Sequence, residues 1–472
     1  MTPQWSRIPR THPAPTDVPR RTILAALVLG GATAAGLSAC TVVSGGVGSA
    51  STDGYRLARE AGPGRERTIE IFNIWGGMTG NAWVSIAELY EKSQTHTGVK
   101  VTYAPASADS QVRLLTSIAA GSPPDVAFVQ PEQYPQFAGL GVMNDLDPYL
   151  QRSGLGEKDF VPAVWSQMSI TGPVYSLPGM VDVNFPLFWN KKLFSASGLD
   201  PNEGPKTIDD MDRMSAAILK KKDGRVQQVG TIPWSYYGYS NSMYTLGYAF
   251  GGKFVSDDNG TVTPDHENNI TALTWMCDYA KRVGGAAHLA VTSPTQVLPA
   301  IAGGTIGMAP MTATDAGNVK TNAPKVELGS GLFPYAEGLG EPGGATWLGG
   351  WSVFIPKGAA YPDSAWDFIQ FATTTAEGTI ENFKKQRAVP ELKSSPVLKT
   401  LAKDPFFSIF TEALSSCKNV RPTIPVAGTY GQQLDIYVGQ AIFGQLTPQQ
   451  AMKKVADNVN TEWDRFRKDH QS

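Results

Sequence analysis

Apolar and polar positions in this 472-residue chain fall into two rhythms from residue 68 onward. In TIEIFNIWG (68–76) they alternate with period two, as in a half-buried strand, and a Gly-rich turn follows. NAWVSIAELYEKSQ (81–94) then repeats its apolar residues at three- and four-residue intervals, which predicts a helix with one buried face. VKVTYAP (99–105) reads as a strand, QVRLLTSIAAG (111–121) as a helix ending on Gly121, and PDVAFVQ (124–130) as a strand. Strand–helix–strand alternation of this kind predicts an α/β domain with a largely parallel sheet. Farther on, GPVYSLP (172–178), PLFWN (186–190), VQQVGTIPW (226–234) and WSVFIPK (351–357) read as strands, and SAWDFIQFATT (364–374) as a helix. SDDNGTVT (256–263) carries an Asn-Gly hairpin signal. No tandem repeat is evident.

The first 40 residues follow a different pattern. Residues 1–22 hold Arg7, Arg10, Arg20 and Arg21 against one acid, Asp17, and residues 23–36 (ILAALVLGGATAAG) are apolar or small. That run is shorter than the roughly 20 residues a membrane-spanning helix needs. A basic start, a short apolar run and a small-residue end predict a secretory signal. The ending, Leu37-Ser38-Ala39-Cys40, resembles the lipobox of bacterial lipoproteins, in which Cys40 would be acylated and become the mature N-terminus. Arg20-Arg21-Thr22-Ile23-Leu24 also resembles a twin-arginine signal, but Ala25 stands where a basic residue is common, so either export route fits. TVVSGGVGSASTDG (41–54) is rich in Gly, Ser and Thr, and residues 40–66 are expected to form a flexible tether with order starting near Arg67.

Charge and cysteine content narrow the partners. Removing residues 1–39 takes four Arg and one Asp from 40 basic and 42 acidic residues, leaving a formal charge of −5. With no basic stretch interleaved with aromatics, nucleic acid is not an expected partner. Cys277 and Cys417 could form a disulfide outside the cytoplasm, or Cys277, in the apolar ALTWMCDYA, could be a buried thiol. The five His (12, 96, 266, 288 and 470) are scattered, and no metal site or cofactor is expected. GYAFGGK (247–253) has phosphate-loop spacing, but Phe254 replaces the Ser or Thr that would hold magnesium.

Six segments, in order, resemble one family, the carbohydrate-binding proteins of bacterial ABC importers (family 1 extracellular solute-binding proteins). They are the strand ending in Trp75-Gly76-Gly77 with AELYEKSQTHTGVKV (87–101); AAGSPPDVAFVQ (119–130) with AGLGVMNDLDPYL (138–150); VYSLPGMVDVNFPLFWNKKLFSASGLDP (174–201) with PKTIDDM (205–211); IAGGTIGMAPMT (301–312); GGWSVFIPKGAAYPDSAWDFIQFATT (349–374); and LTPQQAMKKVADNVNTEW (446–463). The resemblance implies a type II periplasmic-binding-protein-like α/β fold with two discontinuous lobes, 68–184 with 352–390 and 187–348 with 391–472, joined by hinge strands. It also implies a monomer that holds a sugar between the lobes and delivers it to a permease served by a separate cytoplasmic ATPase.

A sugar offers hydroxyls and flat C–H patches, so its site needs planar polar groups and aromatic platforms. The loops expected to face the cleft supply Trp75 and Met78; Gln130, Glu132 and Tyr134; Asp182 and Asn184; Trp234, Tyr236 and Tyr237; Gly350 with Trp347 and Trp351; Arg387; and Tyr430. Compared with maltodextrin binders, Val129, Glu132 and Gln133 replace a tryptophan–aspartate–arginine loop, and Thr314 or Asp315 sits where an aromatic is expected. The sugar class therefore stays open. Two other readings compete. One is the same fold binding a glycerophosphodiester or polyol. The other is a lipid-anchored glycosidase, which would need two carboxylates roughly 5–10 Å apart, such as Glu132 and Asp182. The expected reading is a binding protein, not an enzyme.

Overall fold

The computed structural model describes residues 51–52, 54–105, 108–130, 133–169, 172–256, 260–284 and 294–470. The packed body starts earlier than the expected tether allows. Leu57 is fully buried, and the Arg59 backbone exchanges two hydrogen bonds with Val101. The cause lies in Glu91, a carboxylate on a buried helix face. Burial alone would raise its pKa; bonds from Arg59, the Val99 N–H and the Gly62 N–H overcome this and hold it below the usual range. Residues 54–66 thus belong to the body instead of the expected tether.

The first unit is the predicted β-α-β-α-β run. Strand β1 (Arg67–Asn73) and β2 (Thr97–Tyr103) pair in parallel, from Arg67 opposite Thr97 to Asn73 opposite Tyr103. Helix α1 (Gly77–Ser93) connects them and buries Trp83, Val84, Ile86, Ala87 and Tyr90. Helix α2 (Ala108–Ala119) ends at Gly121 in the left-handed region, and β3 (Ala127–Val129) begins beside β1 through a parallel Ile71–Val126 bridge. The chain then reaches β4 (Leu177–Asn184) and β5 (Leu187–Asn190). Of the strand expected over 172–178 only its end, from Leu177, is a strand.

A second unit follows. Helix α3 (Ile208–Ile218) starts on a capping box between Thr207 and Asp210. Strands β6 (Lys220–Lys222) and β7 (Arg225–Gln228) form an isolated hairpin, so only the first three residues of the expected strand VQQVGTIPW are strand. Helices α4 (Tyr239–Ala249) and α5 (Glu267–Val283) pack together. Strand β8 (Met308–Pro310), helix α6 (Ala313–Asn322) and strand β9 (Leu328–Gly331) come next, and β8 and β9 flank β5 in an antiparallel sheet. The expected Asn-Gly hairpin has its Asn outside the described residues, while Val255 and Val262 bridge antiparallel on either side.

The long strand β10 (Trp347–Phe354) joins the two units. It runs antiparallel to β4 for most of its length and, near its end, antiparallel to β3. Helices α7 (Pro362–Thr374) and α8 (Ala376–Gln386) then return to pack on α1. Helix α9 (Ser408–Ser416) leads to β11 (Asn419–Val420), which pairs in parallel with the start of β10. The last helices, α10 (Ala427–Ile442) and α11 (Pro448–His470), pack on each other and on the second unit. The sheet is therefore mixed, not largely parallel, because strands that cross between units must run back against those of the first.

Two large cores result, one around Trp83, Val101, Phe128 and Trp366 that also takes in Phe188, Met311 and Val319 of the second unit, the other around Trp234, Met243, Leu273 and Met452. The expected boundary at 390 falls inside a paired segment. Val161 N–H donates to the Glu391 carbonyl and Lys393 N–H to the Asp159 carbonyl, so residues 391–393 stay with the first unit. Cys277 and Cys417 are both free thiols, which decides against the disulfide. GYAFGGK spans the C-terminal end of helix α4 instead of leading into a helix, so its N–H groups do not form a phosphate cradle. Among the described residues no helix is long and apolar enough to cross a membrane.

Candidate functional site

Three segments pass between the units: β4 into β5, β10, and the stretch through β11. Ligands of open α/β sheets bind at strand ends where the topology switches, which directs attention to this junction. Trp75 leaves the end of β1, its N–H tied to the Asn73 side chain. Its ring meets that of Trp351 edge to face, with centroids 4.4 Å apart, and both rings remain partly exposed. Trp351 lies on β10 opposite Met180, and Asp182 lies on β4 opposite Gly349, so Trp351 and Asp182 occupy adjacent places on one sheet.

No hydrogen bond reaches the Asp182 carboxyl among the described residues. Burial pushes its pKa up to about 6, with the Arg421 charge drawing it partly back. Asp315, at the start of α6, accepts from the Thr312 hydroxyl at 2.7 Å and from the Tyr237 hydroxyl. Burial first, and the Asp182 charge second, push Asp315 up to about 7. Two carboxyl groups from different elements thus feel each other across the junction. Tyr237 has a left-handed backbone, φ 61°, which turns its ring out of the loop and onto Phe185, stacked at 4.8 Å. Arg421 sits 5.0 Å over the Trp347 ring.

The expected residues divide accordingly. Trp75, Trp351, Asp182, Tyr237 and Asp315 come together, with Gly350 beside Trp351 in the strand. Met78 and Gln130 lie at the adjoining ends of α1 and β3, partly exposed. Glu132 lies outside the described residues. Three expectations need correction, because these rings fill the second core. Trp234 is 1 % exposed; Tyr236 is bonded to Thr231; Tyr430 is 0 % exposed and donates to the Phe254 carbonyl. Asn184 is also buried, at the end of β4, and Trp347 is a buried ring donating to Thr245. Tyr134 is buried and donates to the Met168 carbonyl. Arg387, in the left-handed region after α8, stacks over Phe383 and Phe407 and lies against Gly317 of α6. Arg421, Phe185 and Thr312 join the site unannounced. A single Thr before a helix gives a cap signal, but nothing local marks Arg421 or Phe185.

The comparisons with known proteins bear on the family and the fold. A model of the bacterial extracellular solute-binding proteins matches residues 77–379. A mannitol-binding protein of Pseudomonas aeruginosa is 24 % identical over 331 residues, 65 % of this chain and 73 % of its own length. Among solved structures, CpMnBP1 with mannobiose bound has a TM-score of 0.72 at 25 % identity, covering 84 % of this chain and 100 % of that one. A solute-binding protein of Thermotoga lettingae bound with α-D-tagatose has a TM-score of 0.70 at 25 % identity, covering 84 % and 99 %. The two units are therefore the lobes of a two-lobed periplasmic binding fold, and the chain belongs to the bacterial extracellular solute-binding proteins.

Proposed function

We propose that this protein captures a carbohydrate, a di- or oligosaccharide, between its lobes and hands it to the transmembrane subunits of an ABC importer. The observation that carries the reading is the pair of partly exposed rings, Trp75 and Trp351, beside the carboxyls of Asp182 and Asp315 at the crossing strands. Rings supply platforms for the flat faces of a sugar, and ionised carboxylates accept from its hydroxyls. Asp182 stands on a hinge strand and Asp315 in the second lobe. A ligand touching both favours the closed arrangement by its differential contacts. Binding without turnover is the reading the family supports, and export with acylation at Cys40 would hold the protein at the outer face of the cytoplasmic membrane.

A polyol is the second reading, favoured by the mannitol-binding relative. Titration of the protein with mannobiose, mannotriose, other oligosaccharides, mannitol and glycerophosphodiesters, followed by calorimetry, separates them. Asp315→Asn and Trp351→Ala are each expected to weaken the bound solute by roughly 10- to 100-fold. Tyr430→Phe should leave affinity unchanged and cost about 1 kcal/mol of stability, the worth of one buried hydrogen bond. Release of shorter sugars during the titration would move the assignment to a glycosidase, and silence across the panel would remove the carbohydrate claim.

A further inference from the structure

The β6–β7 hairpin does not fit the rest of the surface. Lys220, Lys221 and Lys222 are all exposed, as is Arg225. The turn is two residues long, Asp223 at φ 52° and Gly224 at φ 75°, the doubly left-handed form that matches strand twist and makes a stiff ribbon. Its base is fastened. Leu219 and Val226 pack on the second core, Gln228 donates to the Gly304 carbonyl, and Val229 bridges Ile306. Residues 220–225 hold four cations against one acid, on a chain whose formal charge is −2.

Among the described residues none of the four takes part in an ion pair or side-chain hydrogen bond; Lys221 alone reaches a helix end, beside Gly284 at the C-terminus of α5. The nearby Lys281 and Arg282, at the end of α5, are already paired with Asp278 and Asp212. Lys222 stands directly opposite Arg225, and like charges across an antiparallel pair oppose the pairing. Lysine is also a poor strand former. Folding stability does not ask for this sequence. A partner carrying many negative charges on one surface does.

We propose that the hairpin is a docking finger for the phosphate-bearing headgroups of an anionic membrane. This rests on the reading that Cys40 is acylated, because the tether makes that surface the nearest one. From Cys40 to the packed residues that begin at 54 is a short link, spanning at most about 50 Å. So held, the body meets the bilayer continually, and a weak contact suffices to orient it. A protein of net negative charge would otherwise be repelled by anionic lipid on average.

The test uses the chain from residue 40 onward with Cys40→Ser, since every packed residue lies in it and no acyl chain remains to bind lipid. Vesicles of phosphatidylcholine with about one-third phosphatidylglycerol are expected to sediment this protein at low salt, and pure phosphatidylcholine vesicles to leave it in solution. The variant K220Q/K221Q/K222Q/R225Q should bind about 600-fold more weakly, at about fivefold for each of the four charges removed. K453Q/K454Q, on α11, should bind as the parent does. Solute affinity measured alongside reports separately on the carbohydrate reading. Equal sedimentation by both vesicle types, or an unchanged quadruple variant, would overturn the proposal. Displacement by a few millimolar inorganic phosphate would overturn it too, by marking an isolated phosphate site instead of a surface.

Discussion

Glu391→Gln should stabilise the protein by roughly 3–5 kcal/mol at pH 9 and leave its stability at pH 4 nearly unchanged. Glu391 is 3 % exposed, one carboxyl oxygen lacks any hydrogen-bond partner, and no cation pairs with it among the described residues. It lines a polar cavity of ≈ 10 Å³ with Thr373, Thr379 and Asn382. Burial, opposed only by weaker hydrogen bonds, pushes its pKa from 4.5 up to about 8. The folded chain therefore keeps a proton that the unfolded chain gives up near pH 4.5. Between about pH 4.5 and 8 the native state binds more protons, so stability falls as pH rises and the loss is complete above pH 8. Glutamine is a neutral match for the protonated acid and escapes that loss. Asp182 and Asp315 contribute a fall of the same sign in both proteins and cancel in the comparison. Urea unfolding of the two proteins across this range checks it, and parallel curves would show that Glu391 already has a partner.

Gly350→Ala carries the second large effect, a destabilisation of roughly 3–5 kcal/mol in the same assay. Gly350 sits in β10 with φ 104°, a region that an L side chain rarely enters. A Cβ there would stand 2.0 Å from the Met180 carbonyl oxygen and 2.9 Å from the Asp182 nitrogen. Both are backbone atoms of the paired strand, so no side chain can rotate away. Because the strained neighbour is Asp182, the variant should also lose solute affinity at temperatures where it stays folded. Retention of full stability would mean that β10 and β4 are not so closely paired at this point.

The first lobe was legible because its strands and helices bury one face each, and period two gave way to period 3.6 at each junction. The β6–β7 hairpin was not, although Asp223-Gly224 is a strong turn signal, because its flanking residues are polar on both faces and show no alternation. The aromatic cluster PWSYYGY misled for the opposite reason. Composition supplies rings but does not say which way they point. Only the left-handed backbone of Tyr237 takes one of them to the junction, while Trp234 and Tyr236 go inward. Arg421 reaches Asp182 through the pairing of β11 with β10, a contact between distant segments that leaves no trace in the local sequence RPTIP.

The return of α7 and α8 to the first lobe sets the order in which the chain can become a protein. The Thr97 and Ser364 hydroxyls that meet there are 267 residues apart in sequence, and most of the second lobe, all but its last helices, is threaded between them. As the chain emerges, the part of α1 that α7 and α8 cover waits exposed until residues 362–386 arrive. Contacts of such long separation are slow to form, and the waiting surface invites aggregation. The lobe that starts first thus waits for most of the chain, and a chain truncated anywhere before α8 leaves it without its outer layer.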